Sequence, residues 1–209
     1  MSIIQHNNDK RSHGGVLLLN TLDGLIPGFP SRLKVLCDSY GVPLNVYSDE
    51  EVSVSLFKHL NGDYDIVLLR LHSTNQYGQT WLFTGEPYDQ NKYLLEQLSD
   101  QVHRARPYID EKPYFCITSV YVKVNLDTSV LFVMGCDGMT SQDLSSAFKK
   151  SGVETVIGWD GLVDLEYSDT VALEFCDLVL SGASSQEIKQ CCLFHDPDPV
   201  YHSQLLSSP

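Results

Sequence analysis

Short apolar runs alternate with amphipathic stretches along most of the chain, which is the pattern of strands connected by helices. Four runs are continuous enough for buried strands: residues 16–20, 65–72, 130–134 and 153–157. Strands of a parallel sheet have this composition because both faces of the sheet are covered. The pattern therefore predicts an α/β fold, a three-layer αβα sandwich with a mainly parallel central sheet.

The other segments complete this prediction. Helices are expected at residues 30–40, 49–60, 90–104, 141–151, 168–180 and 184–191. Extended segments are expected at residues 44–47, 81–84 and 114–123, the second of them as a short edge strand. Together they form one domain over residues 14–192. Polar residues 1–13 predict a disordered tail, and residues 193–209, which contain two prolines before the C-terminus, predict a surface tail.

Length and charge exclude several classes of protein. The chain has 209 residues, which suits one large domain, and 14 Lys and Arg against 27 Asp and Glu give a net charge of −13. Since the basic residues are scattered, nucleic acid and anionic membranes are not expected as partners. The first residues lack the apolar core of a signal peptide, and no apolar run approaches the length of a membrane span. We therefore expect a soluble cytoplasmic protein.

The six cysteines do not indicate a disulfide framework or a metal site. Cys37, Cys116 and Cys176 lie within apolar patterns and are expected to be reduced and buried. The pair Cys191-Cys192, followed by His195, lacks the paired C-x2-C spacing of zinc sites. No metal and no cofactor are predicted.

One cysteine is placed differently. Cys136 directly follows the most apolar strand and precedes a helical pattern, so its thiol is expected at the carboxyl edge of the sheet, where α/β folds place their chemistry. His72 ends another buried strand. If the two strands are parallel neighbours, the side chains emerge together as a cysteine–histidine dyad.

Three thiol chemistries compete for this turn. The phosphate loop of cysteine phosphatases needs an Arg six positions after the nucleophile, where this chain has Gln142. A nucleophile elbow needs Gly two positions earlier, where this chain has Met134, and a later His, of which only His195 and His202 exist. The third arrangement has the His first and the Cys later on neighbouring strands, and His72 and Cys136 satisfy it. The alternatives in which Cys136 is inert or His72 is structural remain open.

These residues resemble a known family. A His after the third strand, a Cys after the fourth, and then a helix and an apolar strand ending in Trp159 resemble the caspase-like fold of the clan CD cysteine peptidases. This group includes caspases, gingipains, legumain, separase and the CHAT-domain proteases. The resemblance covers about residues 15–182 and is most specific at 130–160, which is similar to the CHAT and gingipain-like members.

The resemblance implies a role for each residue of the dyad. Cys136 would be the nucleophile, and His72 the base that activates it or protonates the leaving amine. The backbone N–H groups of Ser73 and Cys136 would form the oxyanion hole. Ser73 departs from the family, because most members have Gly directly after the histidine.

The resemblance also implies a substrate cleft. Trp159 and Asp160, at the tip of the last apolar strand, would border this cleft together with Asp137. A carboxylate at Asp160 would favour an Arg or Lys side chain before the scissile bond. The expected function is therefore a cysteine endopeptidase that cleaves peptides or proteins after a basic residue. Self-processing near Arg104 and Arg106 is expected from the same preference. The alternative is a non-catalytic module that binds peptides or partners through this cleft.

Overall fold

The computed structural model describes residues 14–209, and the predicted disordered tail at residues 1–13 lies outside them. Within this range the strands are β1 (Val16–Asn20), β2 (Leu44–Ser48), β3 (Asn61–Arg70), β4 (Ser73–Gln76), β5 (Gln79–Pro87), β6 (Val102–Ala105), β7 (Tyr114–Thr118), β8 (Asn125–Val133), β9 (Val153–Trp159) and β10 (Leu205–Ser207). The helices are α1 (Phe29–Tyr40), α2 (Leu56–His59), α3 (Leu94–Leu98), α4 (Asp143–Lys150), α5 (Leu165–Leu180) and α6 (Ser185–Phe194). None of these helices combines the length and the apolarity that crossing a bilayer requires.

Six strands form the central sheet, in the order β10-β9-β8-β3-β1-β2. All neighbouring pairs are parallel except β9 and β10, which are antiparallel. The prediction of an α/β fold with a mainly parallel sheet is therefore confirmed. The pairing of β3 with β8 also confirms that the strands preceding His72 and Cys136 are parallel neighbours.

Alternate side chains of the central strands enter two separate cores. Val16 and Leu18 pack on one side of the sheet, which α1, α5 and α6 cover. Leu17 and Leu19 pack on the other side, against α2, α4 and a second sheet. This second sheet has four antiparallel strands in the order β4-β5-β7-β6. The strand expected at residues 81–84 is β5, which lies between β4 and β7 rather than at an edge.

The helix predicted over residues 90–104 is wrong in its second half. α3 ends at Leu98, and β6 follows and pairs with β7. Burial explains the difference, because Val102 lies in the core whereas Leu95 and Leu98 of the short helix are exposed. A sheet partner distant in the sequence therefore overrides the local helical pattern.

The helix predicted over residues 49–60 is interrupted. Its first three residues form a 3₁₀ turn and residues 56–59 form α2, but Val52 and Val54 between them are buried. Their backbone groups bind β5 instead: Gly85 N–H donates to the Val52 carbonyl at 2.8 Å, and Val54 N–H donates to the Glu86 carboxylate at 3.1 Å. These bonds replace the helical ones.

The C-terminal segment is part of the domain and not the surface tail that its composition predicts. β10 extends the central sheet, and Ser208 N–H donates to the Val156 carbonyl at 2.7 Å. Asp198 is fully buried, and its carboxylate accepts hydrogen bonds from the backbone N–H groups of Asp164 and Val200, each at 3.0 Å. The polar side chains of this segment thus bind backbone groups inside the fold.

An enclosed ion pair fixes the end of β3. Arg70 and Asp169 of α5 are both 0% exposed, and the guanidinium donates to the two carboxylate oxygens at 2.7 and 3.0 Å. Arg70 also donates to Asn20 Oδ1 at 2.9 Å, at the end of β1, and to the Ile26 carbonyl at 2.9 Å. One side chain therefore joins β1, β3 and the beginning of α5.

We expect Asp169→Asn to lower the free energy of unfolding by about 3–5 kcal/mol, because it leaves the buried guanidinium of Arg70 without a counter-ion. Urea unfolding followed by circular dichroism measures the loss. Glu166→Gln is the matched control, since Glu166 is an exposed acid on the same helix, and it should change stability by less than about 0.5 kcal/mol. Equal losses of unfolding free energy in the two variants would contradict the proposed contribution of the ion pair to stability.

Candidate functional site

The register of the central sheet places His72 and Cys136 at one edge. Leu69 pairs with Val133, and Met134 N–H donates to the Leu69 carbonyl at 3.0 Å. His72 and Cys136 each follow their paired residue by the same number of positions. Both are partly buried, and both line the same cleft.

The two strand ends cross in close contact. A methyl group on Gly135 would lie 2.2 Å from the Leu71 carbonyl oxygen and 2.5 Å from Ser73 Oγ, so only glycine fits between them. The Ser73 hydroxyl donates a hydrogen bond to the Cys136 carbonyl. The segments that carry the imidazole and the thiol are therefore joined directly by a hydrogen bond.

The backbone N–H of Ser73 faces the cysteine turn. Phe83 N–H donates to the His72 carbonyl at 2.9 Å, and Ser73 lies opposite Leu82 in the β4–β5 pair. In antiparallel pairing this geometry directs the Ser73 N–H away from β5. A methyl group on Gly135 would lie 3.1 Å from the Ser73 nitrogen. The N–H is thus on the side where the resemblance expects one donor of an oxyanion hole.

The turn after Cys136 has a constrained backbone. Asp137 adopts φ +57°, in the left-handed region, and its N–H donates to the Gly161 carbonyl at 2.9 Å. Met139 N–H donates to the Trp159 carbonyl at 2.8 Å. These bonds fix the β8–α4 turn against the end of β9, so the thiol is presented by a rigid segment.

The imidazole of His72 packs between two aromatic rings. Phe83 and Tyr108 meet it edge-on, with ring centroids 6.1 and 5.3 Å away. Burial lowers the pKa of His72 below the usual value of 6.5, because the charged form loses its hydration. His72 is therefore neutral at pH 7 and able to accept a proton.

The thiol of Cys136 is also neutral at pH 7. Burial raises its pKa above the ordinary range, and the nearby carboxylates of Asp137 and Asp198 raise it further. The backbone N–H groups of Val163 and of Cys136 itself interact with the sulfur and oppose this rise. In the resting state the cleft is consequently lined by a neutral thiol and a neutral imidazole, and among the described residues no hydrogen bond joins the His72 ring to the Cys136 sulfur.

A cleft of about 500 Å³ contains the dyad. Its walls combine aromatic and aliphatic side chains with polar ones, and its lining residues include one carboxylate, Asp137, and one guanidinium, Arg106. His72, Phe83 and Pro107 also line a neighbouring cavity of about 500 Å³, which contains Asp49, Glu50, Glu111 and Lys112. Beside the dyad and the charged pair, the lining side chains of the first cleft are Ser73, Thr74, Gln76, Trp81, Phe83, Ala105, Pro107, Tyr108, Leu162, Val163 and Tyr201.

Two of the predicted substrate residues do not reach this cleft. Trp159 is 0% exposed, and its ring lies in the core with its Nε1 donating to Ser168 Oγ at 3.0 Å. The Asp160 carboxylate accepts a hydrogen bond from the Gln204 N–H at 2.7 Å and so holds the segment before β10. The expectation that Trp159 and Asp160 border the cleft is therefore not met, whereas Asp137 does line it.

The two expected self-processing positions have different environments. Arg104 lies within β6, paired with Phe115, and its guanidinium lies 5.7 Å from the centre of the Tyr88 ring. Arg106 is exposed just after β6 and lines the cleft. The next residue is Pro107, so the peptide bond after Arg106 has no N–H group.

Several residues that line the cleft are not predicted by the sequence analysis. Trp81 and Phe83 come from β5, and Tyr108 comes from the loop after β6, where a helix was expected to end. Tyr201 comes from the segment interpreted as a tail. No local signal marks these positions, because the cleft unites segments distant in the sequence. Within residues 14–209 no group of three or more His, Cys, Asp or Glu side chains is arranged to hold a metal ion.

Comparison with known proteins leaves the family open. No family model matches the chain, and no characterised protein matches it at a significant level. The functional interpretation therefore rests on the geometry of the cleft and on the chemistry of its residues.

We expect Gly135→Ala to destabilise the protein by about 1–3 kcal/mol, because the added methyl group overlaps backbone at the strand crossing. Gly24→Ala is the control, since a methyl group there meets nothing within 4 Å. Thermal unfolding compares the two variants. If Gly135→Ala is as stable as Gly24→Ala, the crossing is looser than its contacts indicate.

Proposed function

We propose that the protein is a cysteine endopeptidase that uses Cys136 as nucleophile and His72 as general base and acid. The observation that carries this proposal is the position of both side chains in one cleft, at the ends of two adjacent parallel strands. A partly buried thiol and a partly buried imidazole that line one cleft are candidates for a nucleophile and its base. The substrate class is a peptide or protein chain.

The neutral dyad determines how the reaction proceeds. As the Cys136 sulfur attacks the scissile carbonyl carbon, the thiol proton passes to His72, whose lowered pKa leaves it unprotonated and ready to accept. The N–H groups of Ser73 and Cys136 receive the negative charge on the carbonyl oxygen. His72 then gives its proton to the leaving amine, and the C–N bond breaks. Water attacks the resulting thioester and regenerates the thiol while releasing the acid product.

The proposal includes a caspase-like fold. Its support is the order of elements around the cleft, which agrees with the family pattern: β3 precedes His72, β8 precedes Cys136, and α4 is followed by β9 ending at Trp159. All six cysteines are unpaired, which fits a reducing compartment such as the cytoplasm, the location that we propose.

We place the basic preference at Asp137 rather than at Asp160. Asp137 lines the cleft directly after the nucleophile in the chain, and the Thr140 hydroxyl lies within hydrogen-bond distance of its carboxylate, at 3.1 Å, and of the Asp160 carbonyl, at 2.8 Å. In the neighbouring cavity Asp49, Glu50 and Glu111 outnumber Lys112, so the surroundings of His72 are acidic on that side, although Arg106 contributes a positive charge to the cleft itself. An Arg or Lys side chain of the substrate is favoured in such a field.

A second candidate is a pseudopeptidase that binds peptides without cleaving them. The raised pKa of Cys136 favours it, because the thiol is not activated before a substrate binds. Apolar and aromatic walls around a cleft suit peptide binding equally well.

Cys136→Ala and His72→Ala should each abolish peptide hydrolysis while thermal stability stays nearly unchanged, because both side chains are only partly buried, at the edge of the core. Cys191→Ala and His59→Ala are the controls, since both residues are exposed and outside the cleft. In the wild type, the rate should fall as pH decreases through the pKa of His72, below about 6.5, because the imidazolium cannot accept the thiol proton. Hydrolysis that persists in Cys136→Ala would show that another residue is the nucleophile.

Substrate preference is measured with peptides that differ only at the residue before the scissile bond. We expect Asp137→Asn to reduce the preference for Arg and Lys roughly tenfold, which corresponds to the loss of one charge-assisted interaction of about 1.4 kcal/mol. Asp160→Asn is the matched control and should keep the preference, because its carboxylate binds the Gln204 backbone. A preference that changes with Asp160 and not with Asp137 would reverse the assignment.

A further inference from the structure

The peptide unit between Cys136 and Asp137 is held at both of its polar ends. Its carbonyl oxygen accepts a hydrogen bond from the Ser73 hydroxyl. Its N–H donates to the Gly161 carbonyl at 2.9 Å. A planar peptide unit with both ends bonded cannot rotate, so the backbone next to the nucleophile has one orientation.

The strand crossing makes the Ser73 bond a specific one. Gly135 has no side chain, and a methyl group there would lie 2.5 Å from Ser73 Oγ, in the space that the hydroxyl needs. Ser73 is 7% exposed, so water has little access to replace the hydroxyl as the donor. The absence of a side chain at Gly135 therefore leaves the space in which the Ser73 hydroxyl reaches the Cys136 carbonyl.

We propose that Ser73 is a positioning residue for Cys136: its hydroxyl fixes the peptide between Cys136 and Asp137 and thereby the direction in which the Cys136 sulfur projects into the cleft. The inference deepens the proposed peptidase function and rests on it. The backbone and side chain of Ser73 have separate tasks: the N–H faces the cysteine turn, whereas the hydroxyl binds the Cys136 carbonyl.

This role explains how a serine is accommodated where the resembling family mostly has glycine. A side chain directed into the cleft would obstruct the substrate carbonyl, but the Ser73 hydroxyl is directed to the Cys136 carbonyl. Asp137 has φ +57°, a conformation that costs about 1–3 kcal/mol for a residue other than glycine and therefore persists only where the surrounding structure holds it. The bond from Ser73 and the bond to Gly161 hold the two polar ends of the peptide unit that precedes the Asp137 Cα, and so support the backbone at this turn.

The test compares Ser73→Ala, which removes the hydroxyl, with Ser73→Thr, which keeps it. Ser145→Ala is the matched control, because Ser145 is also buried and donates to a backbone carbonyl, that of Gln142 at 3.1 Å, away from the cleft. For each variant we would measure thermal stability, kcat and KM for a peptide substrate, and the pH profile of Cys136 alkylation by iodoacetamide. Mass spectrometry separates Cys136 from the other cysteines.

We expect Ser73→Ala to lower kcat roughly tenfold or more with little change in KM, because the affected alignment matters in the transition state. The midpoint of its alkylation profile should move to higher pH, since the sulfur loses its alignment with the Val163 and Cys136 N–H groups. Ser73→Thr should restore both values toward wild type. Ser145→Ala should have the kcat and the alkylation midpoint of the wild type, even if it loses as much thermal stability as Ser73→Ala does.

The outcomes separate this inference from the proposed function. If the wild type hydrolyses peptides and Ser73→Ala has the same kcat and the same alkylation profile, the positioning role is wrong and the peptidase function is supported. Absence of hydrolysis in the wild type together with a shifted alkylation midpoint in Ser73→Ala removes the peptidase and retains the control of Cys136 by Ser73. If Ser73→Ala fails to fold, Ser73→Thr provides the test, because it keeps the hydroxyl. A Ser73→Thr variant that has wild-type stability but has lost hydrolysis and Cys136 alkylation would contradict the role of the hydroxyl.

Discussion

The site depends on the parallel pairing of β3 with β8. With Leu69 opposite Val133, the chain leaves both strands at the same level, and His72 and Cys136 emerge at the same edge of the sheet and line one cleft. A shift of one residue would turn the apolar side chains of one strand to the other face of the sheet. The two separate cores make such a shift costly, because each strand contributes alternate residues to both of them. Packing of the core thereby sets the register of the site.

The sequence is most informative where structure is local and apolar. β1, β3, β8 and β9 are recognisable because both faces of a central parallel strand are buried, and these strands carry His72 and Cys136 to their positions. The second sheet is harder to predict from the sequence. The spacing of apolar residues in β6 continues that of a helix, and Val102 is buried only because β6 pairs with β7. β10 is short and follows a polar segment whose side chains, such as Asp198, bind backbone groups.

The same distinction applies to the residues of the site. Cys136, His72 and Ser73 follow directly from strand ends, so counting residues along the chain locates them. Trp159 and Asp160 also lie at a strand end, yet the loop after β9 folds so that the Trp ring is in the core and the carboxylate binds Gln204. Position along a strand predicts which edge a residue reaches, but the path of the following loop decides whether its side chain enters the cleft.

A chain of buried polar contacts links the histidine strand to the far wall of the cleft. Arg70 ends β3 and binds Asp169 on α5, the helix that begins after Asp164. The Asp164 N–H donates to the Asp198 carboxylate, which also accepts from Val200 N–H in the segment that brings Tyr201 to the cleft. The carboxylates of Asp169 and Asp198 are both enclosed and satisfied by donors, so the loss of either one leaves its own donors unpaired inside the fold. The wall that carries Tyr201 is therefore complete only when the C-terminal strand has joined the sheet, and the cleft forms with the fold as a whole rather than as a separate loop.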